Sequence, residues 1–376
     1  MGKITSGFLT GHGWFWPFLL WMVQGVAIGL LTLVNPNSYT TVDSTYYLSA
    51  AENLYSGNGY AIEENGQLVW NGHFPPGYTI LIVLLKYAGK TSFLISSKLV
   101  NWIASGVLLL FVRAKYNTEA AIAFGLYLCS GVALKIWVHT WSEPLFICIL
   151  IIWCHYFLGK SQKKILKLFV LGSLLILVRY AGIFIIPIIL LYGQTEKCHK
   201  ARQNSWVLAA LLTIVFVSIL VINYAQSGEL YGGDRFTNQT PFTENLYLFV
   251  IAFVNELLLI RDFGKNGLDA LCTAGIILQA IWMFWMLRTG GQLRYNLKVA
   301  WRKVFPYFKI AISYLLFLFL VRLISPFDAP GFRLLAPFTF LMGAGLLYQS
   351  TEMNNPRKYV PWIVLILLSW MHLLPS

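Results

Sequence analysis

The chain has 376 residues, of which 57% are hydrophobic and only 11% are charged. Soluble globular proteins carry about 25% charged residues, so this composition excludes a soluble globule. The formal net charge is +13, which in a membrane protein is explained by basic residues that hold cytoplasmic loops in place. Because we find no RNA-binding aromatic motif and no basic helix outside the apolar runs, no nucleic-acid partner is expected.

The first apolar run, residues 14–34, predicts a membrane helix near the start of the chain. It lacks a small-x-small cleavage site before Asn35 and is longer than the apolar region of a signal peptide, so a retained anchor is expected. None of the five cysteines forms a C-x-x-C pair. The chain is therefore expected to hold neither a disulfide framework nor a zinc site.

The segment after this helix begins a long polar loop rich in aromatic residues. Asp43 lies near its start, where it could cap the helix predicted over residues 44–54, since aspartate is a favoured N-cap. A carboxylate just outside a membrane helix could equally act as a general base toward a substrate hydroxyl. From the local sequence alone, the cap is the favoured role of Asp43. Later in the loop, Pro75 and Pro76 predict a rigid entry into a helix, because proline is accepted in a first helical turn.

Basic clusters at 113–115, 160–167, 197–202, 288–303 and 357–358 predict the orientation of the later apolar runs. Loops rich in lysine and arginine stay in the cytoplasm, and one arrangement of eleven spans with a cytoplasmic amino terminus puts every cluster inside. The spans are predicted at 14–34, 93–112, 118–138, 141–158, 165–178, 180–192, 206–226, 268–288, 305–324, 333–349 and 360–375. The external loop 35–92 contains the short apolar run 74–88, which predicts an interfacial or re-entrant helix. The run 165–191 is basic at both ends, which predicts two short spans that turn near Arg179.

These features predict an all-α integral membrane protein of about eleven transmembrane helices. A single transmembrane domain is expected over residues 1–376, with a core at 93–235, further helices at 236–376 and no soluble carboxyl-terminal domain. In this topology ionisable residues collect at the external face, where each must face a cavity or a partner. They are Asp43, Glu52, His73, His139, Glu143, Arg179, Asp234, Arg235, Arg322, Asp328 and Arg333, with Lys135 nearby. We therefore expect a site at this face.

Three motifs stand at the external ends of predicted helices. A Glu-Pro-Leu-Phe motif begins at Glu143 and opens a span, where the acid also suits the positive end of the helix dipole. Arg179 lies between two apolar runs, where an arginine is costly unless it is paired, as it could be with Glu143 or Asp43. Residues 328–337 form the pattern Asp-x-x-x-x-Arg-x-x-x-Pro before a late span, with Arg333 as the arginine.

In order and spacing, these motifs resemble those of the GT-C membrane glycosyltransferases. That superfamily includes the protein O-mannosyltransferases and the lipid A aminoarabinose transferase. The resemblance covers residues 14–235 and returns at 328–337. It implies the GT-C fold and a general-base role for Asp43, and it argues against a metal because Ser44 stands where relatives often carry a second acid. It also implies substrate-binding roles for Glu143, His73, Tyr47, Glu52 and His139, and donor phosphate-binding roles for Arg179, Arg333, Arg235 and Lys135.

The reaction that the resemblance implies is the transfer of a hexose or pentose from a polyprenyl-phosphate donor to an acceptor hydroxyl, with inversion and without a cofactor. Such an enzyme would lie among the lipids of the bacterial inner membrane with its site on the periplasmic face. Its acceptor would be a glycan, a lipid or a protein. Two other classes stay open. An O-antigen ligase or polymerase would carry a large basic external loop late in the chain. A lipid or sugar transporter or flippase would need no general base and would often show internal repeats.

Overall fold

The computed structural model describes residues 13–159, 165–231, 240–263, 269–289, 293–324, 330–350 and 359–374. These residues are almost entirely helical, with a single two-stranded sheet, which confirms the predicted fold class. Among them, four helices are long and apolar enough to cross a membrane, and a bent helix pair could form a fifth crossing. Shorter apolar helices accompany them, and the chain is an integral membrane protein.

The first half of the described chain contains the long first loop and the helices around it. Its elements are, in order, α1 Phe15–Val34, α2 Val42–Tyr55, β1 Ala61–Glu64, β2 Gln67–Trp70, α3 Gly77–Gly89, α4 Phe93–Lys115, α5 Thr118–Leu128, α6 Gly131–Trp137 and α7 Glu143–Leu158. The second half continues with α8 Ile165–Val178, a 3₁₀ helix Tyr180–Phe184, α9 Ile185–Thr195, α10 His199–Ser227, α11 Phe242–Glu256, α12 Ala270–Thr289, α13 Leu293–Ile324, α14 Phe332–Ser350, α15 Tyr359–Ser369 and a 3₁₀ turn Trp370–Leu373.

The first loop packs onto the helices beneath it. Helices α2 and α3 contact each other and α4, and the fully buried rings of Tyr47 and Tyr78 lie with their centroids 5.0 Å apart. Gly77, at the start of α3, lies so close to the end of α8 that a Cβ there would stand 2.7 Å from the carbonyl oxygen of Leu177. This contact ties α3 to the turn that contains Arg179.

The break predicted near Arg179 is confirmed, because α8 ends at Val178 and a 3₁₀ helix follows. Gly182 makes the turn compact: its N–H donates to the Arg179 carbonyl oxygen at 2.8 Å, and a Cβ at this position would meet the Leu175 backbone at 2.6 Å. The short apolar run 74–88 also forms the expected helix, as α3.

The predicted span 118–138 is not one straight helix, since α5 and α6 meet at a bend of 73°. Ser130 causes the restart, because its Oγ accepts the N–H of Ala133 as the N-cap of α6. Gly131 allows the carboxyl-terminal turn to pack there, since a Cβ at this position would stand 1.9 Å from the Ser369 carbonyl oxygen.

Two elements of the structure were not predicted. The strands β1 and β2 form a hairpin whose turn is Asn65-Gly66, both with positive φ, and Asn-Gly is the dipeptide that favours such turns. Helix α11 lies in a segment that the predicted spans leave without a helix. Its apolar run is short and flanked by polar residues, so it does not read as a span. It packs on its neighbours through Phe249 against Phe319 and Phe253 against Phe338.

Candidate active site

Four charged side chains from distant parts of the sequence meet at the ends of their helices. Arg333, at the start of α14, lies between two carboxylates: its Nη1 contacts Oδ2 of Asp43, and its Nε donates to Oε1 of Glu143 at 2.5 Å. Arg179 approaches the same Glu143 oxygen from the other side, with Nη1 at 2.5 Å. We call Asp43, Glu143, Arg179 and Arg333 the four-charge cluster. Its two carboxylates and two guanidiniums balance to a formal charge of zero.

Glu143 is the deepest member of the cluster. Its side chain is 1% exposed, whereas that of Asp43 is 21% exposed, so the set runs from a buried acid to one that solvent or a substrate can reach. Both arginines use Oε1 of Glu143, and Oε2 is a buried acceptor without a hydrogen-bond partner among the described residues. A buried carboxylate needs this double pairing, because an unpaired buried charge is strongly destabilising.

Asp43 does not cap its helix. Thr41 is the N-cap of α2, and its backbone N–H donates to Oγ of Ser44 at 3.0 Å in a capping box. Ser44 Oγ also donates to the Thr140 carbonyl oxygen at 3.1 Å, which joins α2 to the loop before α7. The capping interpretation of Asp43 is therefore wrong, and its carboxylate faces Arg333 from the first turn of the helix.

Helix α4 holds the loop 138–142 that leads into Glu143. Buried Lys98 donates to the Val138 carbonyl oxygen at 2.6 Å, and buried Asn101 donates to that of His139 at 3.0 Å. Sequence reasoning missed these residues. The signal was present, because the polar run from Ser96 to Lys98 and Asn101 interrupts an otherwise apolar helix. Through this bond Lys98 lies at the carboxyl end of α6, where a basic side chain complements the negative end of the helix dipole.

Two stacked aromatic rings pack against the guanidinium of Arg333. Its guanidinium carbon lies 4.6 Å from the centroid of the Trp141 ring, and His139 stacks on that ring at 3.8 Å. Burial lowers the pKa of the His139 imidazole to about 3, so the ring is neutral at ordinary pH. Its Nδ1 lies 2.6 Å from the Lys135 carbonyl oxygen and donates to it, because a carbonyl oxygen can only accept. His139 thus packs against Trp141, and its contact with a substrate stays a prediction.

The structure brings one further predicted residue to the cluster. Tyr47 is fully buried, and its hydroxyl lies 2.8 Å from Ser142 Oγ, which also accepts from Arg179 at 3.2 Å. His73 instead pairs with Glu64 at 3.3 Å, and its ring packs at an angle of 31° against that of Tyr46, the residue one helical turn after Asp43.

The other predicted residues lie elsewhere. Glu52 lies on the exposed surface of α2. Arg235 lies outside the described residues, as do Asp234 and Asp328. Lys135, predicted to bind phosphate, donates to Asp262 Oδ2 at 2.5 Å.

Lys135 belongs to a second charged set. Asp262 also contacts His372 Nδ1 at 3.3 Å, and neighbouring Arg261 donates to the carbonyl oxygens of Met371 and Leu374 at 2.5 and 2.7 Å. Burial favours a raised pKa for the Asp262 carboxyl, but the hydrogen bond from His372 and the Lys135 ammonium hold that pKa well below its usual value. We call Lys135, Arg261, Asp262 and His372 the carboxyl-terminal clamp.

The clamp and the cluster are neighbours. The Lys135 ammonium lies 4.2 Å from the centroid of the Phe332 ring, the residue directly before Arg333. A cavity of about 20 Å³ adjoins the clamp, which is room for about one water molecule. Across the described ranges, no group of three or more histidine, cysteine, aspartate or glutamate side chains could hold a metal ion. Whether the site uses a metal stays a prediction.

No family model and no curated protein sequence matches the chain. Solved structures do. ArnT from Cupriavidus metallidurans in the apo state aligns over 92% of this chain with 14% identity and a TM-score of 0.50. The same protein bound to undecaprenyl phosphate aligns over 94% with 13% identity and a TM-score of 0.52. The chain spans 62% of the length of ArnT in both alignments. ArnT is an aminoarabinose transferase of the GT-C superfamily, so the likeness confirms the predicted GT-C fold.

Proposed function

We propose that the protein is a membrane glycosyltransferase that moves a monosaccharide from a polyprenyl-phosphate donor to an acceptor hydroxyl. The observation that carries the proposal is the four-charge cluster, in which one arginine joins a half-buried carboxylate to a buried one on a GT-C fold. Glycosyl transfer to a hydroxyl needs a base for the proton and cations for the leaving phosphate. Both kinds of group stand in contact here.

The two arginines suit a phosphate. The contacts of Arg179 to Glu143 and Ser142 use only Nη1, and those of Arg333 to Asp43 and Glu143 use Nη1 and Nε. Within the described part of the chain, each guanidinium therefore keeps N–H groups for an anion. Guanidinium groups bind phosphate through paired hydrogen bonds. The ArnT structure bound to undecaprenyl phosphate supports a donor of this class. The proposed place for the lipid chain of the donor is among the apolar helices of this chain.

Asp43 is the proposed general base. It is the more exposed of the two acids, and the capping box leaves its carboxylate available. As the acceptor oxygen attacks the anomeric carbon, its proton passes to Asp43, and the bond from that carbon to the phosphate oxygen breaks. Direct displacement inverts the anomeric configuration. Preorganised arginines stabilise the charge that develops on the departing phosphate.

The proposed location is the external leaflet of a bacterial inner membrane. The support is the charge distribution. The predicted topology places the loops rich in lysine and arginine on the cytoplasmic side and the four-charge cluster on the external side. Nucleotide sugars are confined to the cytoplasm, so an external site favours a lipid-linked donor. Hexose and pentose donors are both compatible with the cluster.

The test uses purified protein in liposomes that contain undecaprenyl phosphate linked to radiolabelled hexoses or pentoses, with a membrane extract as the source of acceptors. We expect label to leave the lipid and undecaprenyl phosphate to accumulate with the wild-type protein, and not with Asp43→Asn. Movement of intact labelled lipid between leaflets without cleavage would contradict the proposal and identify a transporter.

A further inference from the structure

Asp43 and the proposed phosphate site share one cation. Arg333 contacts Asp43 through Nη1 while its Nε holds Glu143, so the proposed base is ion-paired before any substrate arrives. This contact occupies Oδ2 of Asp43, so Arg333 competes with an acceptor hydroxyl for the proposed base.

We infer that Arg333 couples the protonation of Asp43 to the neutralisation of the leaving phosphate, an inference that rests on the proposed function. A sugar phosphodiester enters as a monoanion and leaves, after the carbon–oxygen bond breaks, as a phosphate dianion. In the same step Asp43 takes the acceptor proton and loses its negative charge. The total charge of cluster and phosphate is unchanged, and one negative charge has moved from Asp43 to the phosphate. Arg333, released by neutral Asp43, follows that charge.

The contacts explain why the proton goes to Asp43. When a phosphate draws Arg333 away, Glu143 keeps Arg179 at 2.5 Å and stays paired. Asp43 loses Arg333, its ion-pair partner in the cluster, and a partly buried carboxylate without a partner favours protonation. Glu143 and Asp43 thus respond differently to the same ligand.

The other titratable groups around Asp43 do not replace Arg333. Tyr46 and Tyr47 follow Asp43 on α2, and the Tyr47 hydroxyl is hydrogen-bonded to Ser142. On the α7 side stand Glu143, which adds negative charge, and His139, which is neutral because burial lowers its pKa to about 3. From the loop before α3, His73 is engaged with Glu64. Arg179 is held by Glu143 and Ser142.

Proton uptake on binding of the product tests the inference without knowledge of the acceptor. Farnesyl phosphate, a short polyprenyl monophosphate, is titrated calorimetrically into the purified protein in buffers of different ionisation enthalpy. Titrations at several pH values between about 6 and 8 cover the second ionisation of the ligand, near pKa 6. The ligand itself releases protons when the arginines bind its dianion. Both arginines are present in wild type and in Asp43→Asn, so the difference between these two proteins isolates Asp43.

We expect the wild-type protein to take up more protons than Asp43→Asn, by up to about one per ligand bound. Arg333→Gln should lose most of this excess, because Asp43 then has no partner to lose. Glu63→Gln, which removes an exposed carboxylate of β1, should behave as wild type. Equal uptake by wild type and Asp43→Asn, with binding intact in both, would overturn the coupling and leave the donor class standing. Absence of binding to the wild-type protein would instead overturn the proposed donor, and the coupling with it.

Discussion

The four-charge cluster and the carboxyl-terminal clamp lie side by side, joined by consecutive residues Phe332 and Arg333, yet they use their charges differently. In the clamp, the basic side chains contact a carboxylate and the main-chain carbonyl oxygens of residues 258, 371 and 374. In the cluster, two arginines crowd one oxygen of Glu143 and keep N–H groups for another anion. The first pattern ties segments together, and the second is prepared for a ligand.

Partners, more than exposure, separate the two regions, because Lys135 of the clamp is 22% exposed, about as much as Asp43 of the cluster. Asp43 at 21% is the most exposed acid of the cluster, and its helix is capped by other residues. Asp262 is 14% exposed and contacts both Lys135 and His372. Both sets contain similar residues, so the comparison indicates that the partners of the charged side chains, and not the residue types, distinguish the two sets. Variants in the two regions should therefore fail in different ways.

The largest effect is expected at Asp43. Asp43→Asn keeps the shape of the side chain and removes the base, so turnover should fall by roughly 100-fold or more, the usual range for loss of a general base. Donor binding and the melting temperature should change little. Turnover of a radiolabelled polyprenyl-phosphate sugar measures the effect, with Glu63→Gln as the matched control. Near-normal turnover in Asp43→Asn would remove Asp43 from the chemistry.

The next effect is expected at Arg179. Arg179→Lys keeps the charge but loses the planar fork that binds phosphate through paired hydrogen bonds. Because a hydrogen bond to a charged group contributes about 1.5–3 kcal/mol, kcat/KM for the donor should fall roughly 10- to 100-fold. The dependence on acceptor concentration should change little. A defect confined to the acceptor would contradict a role at the phosphate.

A double variant distinguishes phosphate binding from a purely structural pairing of Arg179 with Glu143. If the pair is structural, Arg179→Ala with Glu143→Gln should recover stability and activity, because no buried charge is left unpaired. The structure adds Arg333 as a second partner of Glu143, so Arg333 keeps Asp43 in this variant. We expect a folded, inactive protein. Recovery of activity would exclude Arg179 from the site.

A smaller effect, on stability, is expected in the clamp. Asp262→Asn removes the charge that Lys135 and His372 contact and should lower the free energy of unfolding by about 1–3 kcal/mol. Donor turnover of the folded protein should be retained. The melting temperature in detergent and the donor assay measure the two properties. A loss of donor use at unchanged melting temperature would instead move Lys135 into the site, as the sequence prediction had it.

The smallest changes, single cysteine substitutions, test on which side of the membrane the four-charge cluster lies. Cysteines introduced at Gln67 and Gly331 should react with an impermeant thiol reagent in intact cells, and one at Gln292 should not. Gln67 is exposed and follows the hairpin turn, whose glycine has positive φ and tolerates substitution poorly. Native Cys198 is exposed on the predicted cytoplasmic side and provides the control, since it should react only after permeabilisation. Reaction of the cysteine at position 292 in intact cells would show that the predicted topology is inverted.

Much of the cluster could be predicted from the sequence, because each member stands where an apolar run begins or ends. Asp43, Glu143, Arg179 and Arg333 were all placed at one face, and the structure brings them into contact. Which of these four side chains contact one another was not predictable. That Arg333 bridges the two acids depends on how α14 packs against α7, and no local pattern encodes the packing of helices 190 residues apart.

The clamp shows the limit of the same reasoning. Lys135 has the same local context as a phosphate-binding lysine, and only its partner, 127 residues later in the chain, reveals the ion pair. Helix α11 was missed because its apolar run is too short to be predicted as a span. The hairpin turn at Asn65-Gly66 did carry a local signal.

The most direct test of the account is to locate the donor phosphate. An undecaprenyl phosphate with a photoreactive diazirine on the isoprene unit next to the phosphate is cross-linked to the protein in liposomes, and the labelled peptides are identified by mass spectrometry. We predict labelling at the start of α7, the turn 179–182 and the start of α14, with loss of labelling in Arg179→Ala. Labelling confined to residues 255–262 and 370–374, the region of the clamp, would contradict the assignment of the four-charge cluster as the active site.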